Sequence, residues 1–270
     1  MLDKKVAFIT GAARGIGAAI SHEFAASGYA VAMIDKMADE LKGTAQAVAE
    51  KGNPVYPIAA DLSDLDAAQQ AVAKTGKKWG RIDALVNNAA VHDFRTIRKM
   101  TPESWDRILH INLKIPAFLA QYAAPFLEAS GEGVIINISS IDAHFCKGVA
   151  PAYVASKGGL ISLTYDMAAS LSGAGIRAVA VSPGAVDSAL SSNLKSEKGS
   201  DLTNDFRTAS EDFIPLGRWA APDEIAKVVR WLASSDAGYI NGTEIAIDGG
   251  ISHNNLSNTL KKRMYPDEFR

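Results

Sequence analysis

The stretch from Val6 to Gly17 reads VAFITGAARGIG, and it decides how the rest of the chain is interpreted. Its first five residues, ending at Thr10, predict a buried strand, and the glycines after them predict a tight turn into a helix. Gly11, Gly15 and Gly17 allow the backbone to turn and a ligand to approach without an intervening Cβ. A helix that begins at such a turn offers unpaired amides and a positive dipole end, which suit a phosphate group.

Beyond this stretch, apolar runs alternate with segments of helical period, which is typical of a parallel sheet covered by helices. The chain is predicted to form a single Rossmann-type, doubly wound α/β domain with a seven-stranded parallel sheet and helices on both faces. The predicted strands are 6–10, 30–35, 55–60, 82–87, 133–139, 176–182 and 243–247. The predicted helices include 15–27, 67–79, 102–127, 151–172 and 222–234. Pro116 and Pro125 are expected to bend or stop the helix at 102–127.

The amino-acid composition limits the partners and the cellular compartment that can be expected for the chain. The 270 residues carry a formal net charge of −2 without a long run of one sign, so no nucleic-acid or membrane partner is expected. The lone Cys146 excludes an intrachain disulfide and is interpreted as a plain small residue. Neither a signal peptide nor a membrane span is recognisable, so the expected compartment is the cytoplasm.

An acidic residue follows the glycine-rich turn at the distance that a dinucleotide site requires. Asp35 ends the second predicted strand, where its carboxylate can accept hydrogen bonds from a ribose 2′-OH and would repel a 2′-phosphate. This predicts NAD as the cofactor. Arg14 and Lys36 keep NADP open, because either cation can approach a 2′-phosphate.

Tyr153 and Lys157 lie four residues apart on a predicted helix and therefore share one face. A nearby ammonium stabilises a phenolate, so Lys157 is expected to lower the pKa of Tyr153 towards neutral pH. Ser140 would hold the substrate oxygen beside them. Such a pair is common by chance on ordinary helices, and its meaning depends on the rest of the chain.

From about Lys5 to Gly250 the chain resembles the short-chain dehydrogenase/reductase family. The resemblance rests on motifs in the order of that family: Thr10-Gly11-x-x-x-Gly15-x-Gly17, Asp61-Leu62, Asn87-Asn88-Ala89, Asn112, Ser140, Tyr153-x-x-x-Lys157 and Pro183-Gly184. The spacing of thirteen residues to the tyrosine, as in the family, selects Ser140 rather than Ser139. The catalytic set that the resemblance implies is Asn112, Ser140, Tyr153 and Lys157.

The resemblance also implies roles around the cofactor. Asp61 and Leu62 would contact the adenine, Asn112 would hold a water that links Lys157 to solvent, and Lys157 would bind the nicotinamide ribose. The backbone near Val186 and the Ser188 hydroxyl would fix the carboxamide. The full set expected at the cofactor is Gly11, Arg14, Gly15, Ile16, Gly17, Asp35, Asp61, Leu62, Asn88, Ala89, Tyr153, Lys157, Pro183, Gly184, Val186 and Ser188.

Polar residues flank the predicted catalytic cluster. His92, Asp142 and His144 are expected at the substrate, with Asp93 and Lys147 nearby, and this polar wall favours a hydroxylated substrate such as a sugar or polyol. Neither histidine belongs to a recognisable metal-ligand spacing, so no metal is expected.

The predicted organisation is a catalytic domain at 1–250, with a substrate lid at about 188–212, and a tail at 251–270. By the resemblance, the chain forms a homotetramer in which the tail can reach a neighbouring site. The leading interpretation is NAD-dependent oxidation of a secondary alcohol to a ketone or lactone. The alternatives are an NADPH-dependent carbonyl reductase of the 3-oxoacyl type and a non-catalytic NAD-binding regulator.

Overall fold

The computed structural model describes residues 4–188 and 199–269, and it confirms the predicted seven-stranded, fully parallel sheet. The strand order is β3-β2-β1-β4-β5-β6-β7. The strands are β1 (Val6–Thr10), β2 (Ala30–Asp35), β3 (Val55–Ala59), β4 (Ala84–Asn87), β5 (Val134–Ile138), β6 (Arg177–Pro183) and β7 (Thr243–Ile247).

The strand order reverses beside β1, and this reversal determines where a ligand can bind. Chain order runs outward from β1 to β3 on one side and from β4 to β7 on the other. In an open sheet of this kind, ligands bind at the carboxyl ends of the strands, in the crevice where the order reverses. The glycine-rich turn after Thr10 lies at this crevice, since β1 pairs with both β2 and β4.

Helices cover both faces of the sheet. They are α1 (Gly15–Ala26), α2 (Ala38–Ala49), α3 (Leu65–Trp79), α4 (Pro102–Leu109), α5 (Ile115–Glu128), α6 (Pro151–Leu171), α7 (Thr203–Phe213), α8 (Pro222–Leu232) and α9 (Asn258–Met264). One core joins α1, α2 and α8 to the sheet through residues such as Phe24, Leu41 and Val229. The other joins α3, α5 and α6 to the opposite face through residues such as Val72 and Leu119. All of β1 is buried, because its side chains alternate between the two cores.

The segment 102–127, predicted as a long helical stretch that Pro116 and Pro125 bend or stop, is helical throughout, but its hydrogen-bond pattern changes at its centre. A π-helix, His110–Lys114, separates α4 from α5. Pro116 lies in the first turn of α5, directly after the π-helix, and has no amide hydrogen to donate to the preceding turn. Pro125 lies inside α5, which nevertheless continues to Glu128. Neither proline therefore stops the helix, and the break falls where the hydrogen-bond register changes.

The segment predicted as a lid, 188–212, is only partly described, because 189–198 lie outside the described residues. Within the rest, Thr203–Phe213 forms α7. Arg207 fixes α7 by pairing with Asp187 at 3.3 Å and with Glu211 at 3.0 Å. The Trp219 indole N–H also donates to the Ser210 hydroxyl at 2.7 Å.

The C-terminal tail folds back onto its own chain through α9. The side-chain amide of Asn258 donates to the Ile214 carbonyl at 2.7 Å, and the Thr259 amide donates to the Asp212 carboxylate at 2.7 Å. Within 4–188 and 199–269, no helix combines the length and hydropathy of a bilayer-spanning segment.

Candidate active site

The glycine-rich turn forms a cradle that side chains would fill. A Cβ on Gly17 would lie 2.0 Å from the Gly11 carbonyl oxygen, and one on Gly11 would lie 2.9 Å from Ala89 Cα. Gly11 and Gly15 also have φ of +64° and +58°, which glycine alone adopts without strain. No described side chain caps α1 at its first residue, and its first turn contains no acidic residue. The amides of that turn can therefore bind a phosphate.

Hydrogen bonds of Thr10 and Asn88 hold the glycine-rich turn against the end of β4. The Asn88 side-chain amide donates to the carbonyls of Thr10 and Gly11 at 2.9 and 3.1 Å. In return, the Thr10 hydroxyl accepts from the amides of Asn88 and Ala89 at 2.9 and 3.0 Å. Asn88, expected at the cofactor, thus holds the turn in shape, and Thr10 is a positioning residue that the sequence analysis did not single out.

Asp35 is buried, and backbone amides hold both of its carboxylate oxygens. The Ala13 amide donates to Oδ2 at 3.0 Å, and the Met37 amide donates to Oδ1 at 3.1 Å. The carboxylate is therefore fixed against the glycine-rich turn. It has lone pairs left for the hydroxyls of a ribose.

The two competing cations have acidic neighbours. The Arg14 guanidinium lies 3.9 Å from the Glu40 carboxylate, on the exposed side of the turn. Hydrogen bonds from Ser63 lower the pKa of Asp61, and the charge of Lys36 lowers it further. Each of the two cations therefore has a carboxylate nearby, Glu40 beside Arg14 and Asp61 near Lys36.

The remaining residues expected at the cofactor lie around the same crevice. Leu62 is buried after β3, and Ile16 packs against the first core. Pro183 ends β6, and Gly184 follows where a Cβ would lie 2.8 Å from Asp248 Cα. The chain then passes Val186, which forms an isolated bridge with Ala220. Ser188 returns to the glycine-rich turn, with its Cβ 3.5 Å from where a Cβ on Gly15 would be.

The structure brings Ser140, Tyr153 and Lys157 together at the carboxyl end of β5. Tyr153 and Lys157 lie one turn apart on α6, and both are buried. The Lys157 ammonium nitrogen is 5.6 Å from the centre of the Tyr153 ring and donates to the Ile138 carbonyl at 2.7 Å. The Ser140 hydroxyl accepts from the Asp142 amide at 3.1 Å. By contrast, the Ser139 hydroxyl points inward and donates to the Lys157 carbonyl at 2.9 Å.

Burial dominates the titration of this cluster. It raises the pKa of Tyr153, the charge of Asp142 raises it further, and a hydrogen bond with Ser140 lowers it. Burial lowers the pKa of Lys157 to about 7. Burial thus outweighs the lowering of the Tyr153 pKa that is expected from Lys157, because removing either group from water disfavours its charged form.

Asn112 lies in the π-helix between α4 and α5 and is buried. Its side-chain oxygen accepts from the Val91 amide at 2.9 Å, and its nitrogen donates to the Val91 carbonyl at 2.9 Å. The same nitrogen donates to the Ser156 hydroxyl at 3.2 Å, which in turn donates to the Tyr153 carbonyl at 2.7 Å. Asn112 thus connects the loop after β4 to the helix that carries Tyr153, while its role in holding a water stays a prediction.

The ring of His92 lies against the ring of Tyr153. Its ring is 4.4 Å from the Tyr153 ring and 4.0 Å from the Phe94 ring, measured between centres. Burial lowers the pKa of His92 to about 4, so the imidazole is neutral at physiological pH. Phe94, which completes this stack, has no sequence signal that could have identified it.

Asp142 and His144 differ in their placement. The Asp142 carboxylate is nearly buried and accepts from the Lys147 ammonium at 2.6 Å. Nε2 of His144 lies 2.7 Å from the Glu244 carboxylate, and the His144 side chain is 60% exposed. The structure therefore groups His92 and Asp142 with Tyr153, but it turns His144 towards β7.

Comparisons with known proteins agree with this geometry. A family model described as enoyl-(acyl carrier protein) reductase matches residues 11–252. A galactitol 2-dehydrogenase of Agrobacterium fabrum is 35% identical over 254 residues, covering 92% of this chain and 98% of the relative. A 3-oxoacyl-(acyl-carrier-protein) reductase of Thermotoga maritima is 35% identical over 250 residues, covering 93% and 98%. The crystal structure of L-sorbose reductase from Gluconobacter frateurii, complexed with NADPH and L-sorbose, superposes with a TM-score of 0.86 and 28% identity, covering 92% and 96%.

The doubly wound sheet and the cluster of Ser140, Tyr153 and Lys157 define an oxidoreductase that acts on CH–OH groups with a nicotinamide cofactor. The chain belongs to the short-chain dehydrogenase/reductase family.

Proposed function

We propose that this protein oxidises a secondary alcohol of a sugar or polyol to the ketone or lactone, with NAD as the oxidant. The observation that carries the proposal is the fixed Asp35 carboxylate at one end of a crevice whose other end holds Ser140, Tyr153 and Lys157. A carboxylate fixed at this place suits a ribose with free hydroxyls and disfavours a phosphate there. Galactitol 2-dehydrogenase and D-threitol dehydrogenase among the relatives support a polyol substrate.

Each catalytic residue has a separate task in this proposal. Ser140 hydrogen-bonds the substrate oxygen and orients its carbon. Tyr153 takes the hydroxyl proton in oxidation and returns it in reduction. Lys157, one turn away, binds the nicotinamide ribose, and in its protonated form it favours the phenolate of Tyr153. The bound nicotinamide supplies the hydride acceptor.

Replacing Tyr153 with Phe tests the assignment. The variant keeps the ring but cannot exchange a proton, so kcat should fall by about 10²–10⁴-fold while the affinity for NAD is retained. Activity and NAD binding are measured on the same preparations. Full activity of Tyr153→Phe would contradict the proposed mechanism, and an inactive wild type that still binds NAD would favour the non-catalytic regulator.

Cofactor choice is tested by thermal shift with NAD and NADP at matched concentrations. We expect larger stabilisation by NAD, because the 2′-phosphate of NADP meets Asp35. Larger stabilisation by NADP would mean that Arg14 and Lys36 outweigh this carboxylate.

The second candidate is an NADPH-dependent carbonyl reductase of the 3-oxoacyl type. The 3-oxoacyl-(acyl-carrier-protein) reductase relative and the NADPH complex of L-sorbose reductase support it. It predicts turnover of a 3-oxoacyl thioester with NADPH and no NAD-linked oxidation of polyols. Both reactions can be followed through the nicotinamide absorbance.

Assembly and location are further parts of the proposal. We expect a homotetramer in the cytoplasm that acts on a small hydroxylated molecule, with no nucleic-acid or membrane partner. Light scattering checks the assembly, for which we expect about four times the 28.6 kDa chain mass.

A further inference from the structure

We propose that His92 and Asp142 bind a second hydroxyl of the substrate, in addition to the hydroxyl that reacts, so that the pocket selects uncharged vicinal diols over simple secondary alcohols. This inference rests on the proposed function and names the chemical feature that the enzyme recognises.

The first observation is the placement of the His92 ring between Phe94 and Tyr153. The stack fixes the imidazole beside the phenol that exchanges the proton, so a ligand that reaches Tyr153 also reaches His92. Phe94 is 42% exposed, so the stack borders solvent on the side of Phe94.

The second observation is an unpaired polar atom. Nδ1 of His92 is shielded from water and has no hydrogen-bond partner among the described residues. Buried polar atoms are ordinarily paired, and those that are not deserve an explanation. A hydroxyl suits this atom, because it can donate to a neutral imidazole nitrogen or accept from one.

The third observation is the carboxylate on the other side of the cluster. The amide of Asp142 donates to the Ser140 hydroxyl, which places this residue next to the oxygen that holds the substrate. Oδ1 of Asp142 accepts from Lys147, and a carboxylate has further lone pairs for a donor. A hydroxyl is such a donor, whereas a substrate carboxylate or phosphate would be repelled.

The discriminating measurement is a selectivity ratio. We compare kcat/KM for 2,3-butanediol with kcat/KM for 2-butanol, both with NAD, in wild type and in the His92→Phe variant. Phe keeps the aromatic stack but removes both nitrogens, so the diol-to-monoalcohol ratio should fall by about tenfold. His92→Gln, which retains hydrogen-bonding groups, should recover part of that ratio.

A matched control is His22→Phe, because His22 lies on α1 and away from the stack; its ratio should equal that of wild type. A purely structural role for His92 would lower both kcat/KM values equally and leave the ratio unchanged, which would overturn the proposal. A wild type that shows no preference for the diol would also overturn it, although the NAD-linked oxidation would stand. A wild type that oxidises neither alcohol nor any polyol with NAD would overturn the proposed function together with this inference.

Discussion

Among the glycines that the structure describes, Gly17 is the one where an added Cβ would make the closest contact, 2.0 Å from the Gly11 carbonyl oxygen. Its missing side chain is what allows the first turn of α1 to approach the Gly11 carbonyl. A methyl group at this point cannot be accommodated by a small shift, because it meets the Gly11 carbonyl group and the side-chain nitrogen of Asn88, which is hydrogen-bonded to that carbonyl.

We therefore expect Gly17→Ala to abolish detectable NAD binding and to lower the melting temperature. Gly43→Ala is the matched control, since Gly43 lies within α2 and a Cβ there has no neighbour within 4 Å. That variant should be neutral or more stable by about 0.5–1 kcal/mol, because alanine loses less conformational entropy in a helix. Thermal melts with and without NAD measure both effects, and NAD binding by Gly17→Ala would contradict the cradle.

Lys157 makes the stability of the ligand-free protein depend on pH. Burial lowers its pKa to about 7, against 10.5 when it is exposed. Between these values the unfolded chain binds a proton that the folded chain does not, so stability rises with pH from about 7 towards 10.5.

Lys157→Met removes this titration while keeping a long apolar side chain. We expect the melting temperature of wild type to rise relative to that of the variant as the pH increases from 7 to 9.5. Subtracting the two curves cancels the groups that both proteins share. A constant difference would show that Lys157 remains charged in the folded protein.

Among the elements, the π-helix between α4 and α5 connects the fold to the catalytic site. Its wider turn carries Asn112, whose amide pairs with both backbone groups of Val91. Val91 immediately precedes His92. The π-helix therefore fixes the loop that carries His92 beside Tyr153.

Asn112→Leu should lower the free energy of unfolding by about 1–3 kcal/mol, because both partly buried backbone groups of Val91 lose their partner. It should also lower kcat/KM, since His92 is then less well positioned. Ser156→Ala is the control, because it keeps the bonds to Val91 and should cost about 1 kcal/mol or less. Urea unfolding of the two variants compares them, and equal costs would contradict this role of Asn112.

The elements differ in how well the sequence predicts them. The strands were predictable, because a buried parallel strand such as β1 is a continuous apolar run with clear ends. The helices that cover the sheet were predictable as well, whereas α7 and α9 were not predicted. The π-helix was not, since one extra residue in a turn hardly alters the apolar period on which the helix prediction depends. The position of Ser140 followed from its spacing to Tyr153, whereas the stack of His92 with Phe94 depends on loop geometry that leaves no periodic signal.

At the scale of the whole molecule, the C-terminal tail contacts α7. Asn258 and Thr259 bind the end of α7 within the same chain, and α7 belongs to the segment predicted as a lid. Around them, Leu216, Met264 and Tyr265 leave large apolar surfaces exposed. This combination is compatible with a tail that supports the local pocket and also meets a second subunit.

Truncation after Leu256 tests the tail while keeping Ile251, which is buried in the small core beneath α7. We expect a higher KM for the alcohol and an unchanged affinity for NAD, because α7 loses its support but the glycine-rich turn does not. Steady-state kinetics and light scattering measure the two effects together. An unaltered KM and an unaltered mass would show that the tail serves neither the pocket nor the assembly.

The hydrogen bond between Asp35 and the Ala13 amide has a consequence for protein engineering. The carboxylate that we propose to select the nucleotide also supports the loop that binds the phosphates. Exchanging Asp35 for a small neutral residue would remove a repulsive charge and, in the same step, loosen that loop for every nucleotide. A conversion to NADP therefore needs a second substitution that restores a hydrogen-bond acceptor for Ala13, and a single exchange should yield a weaker enzyme with either cofactor.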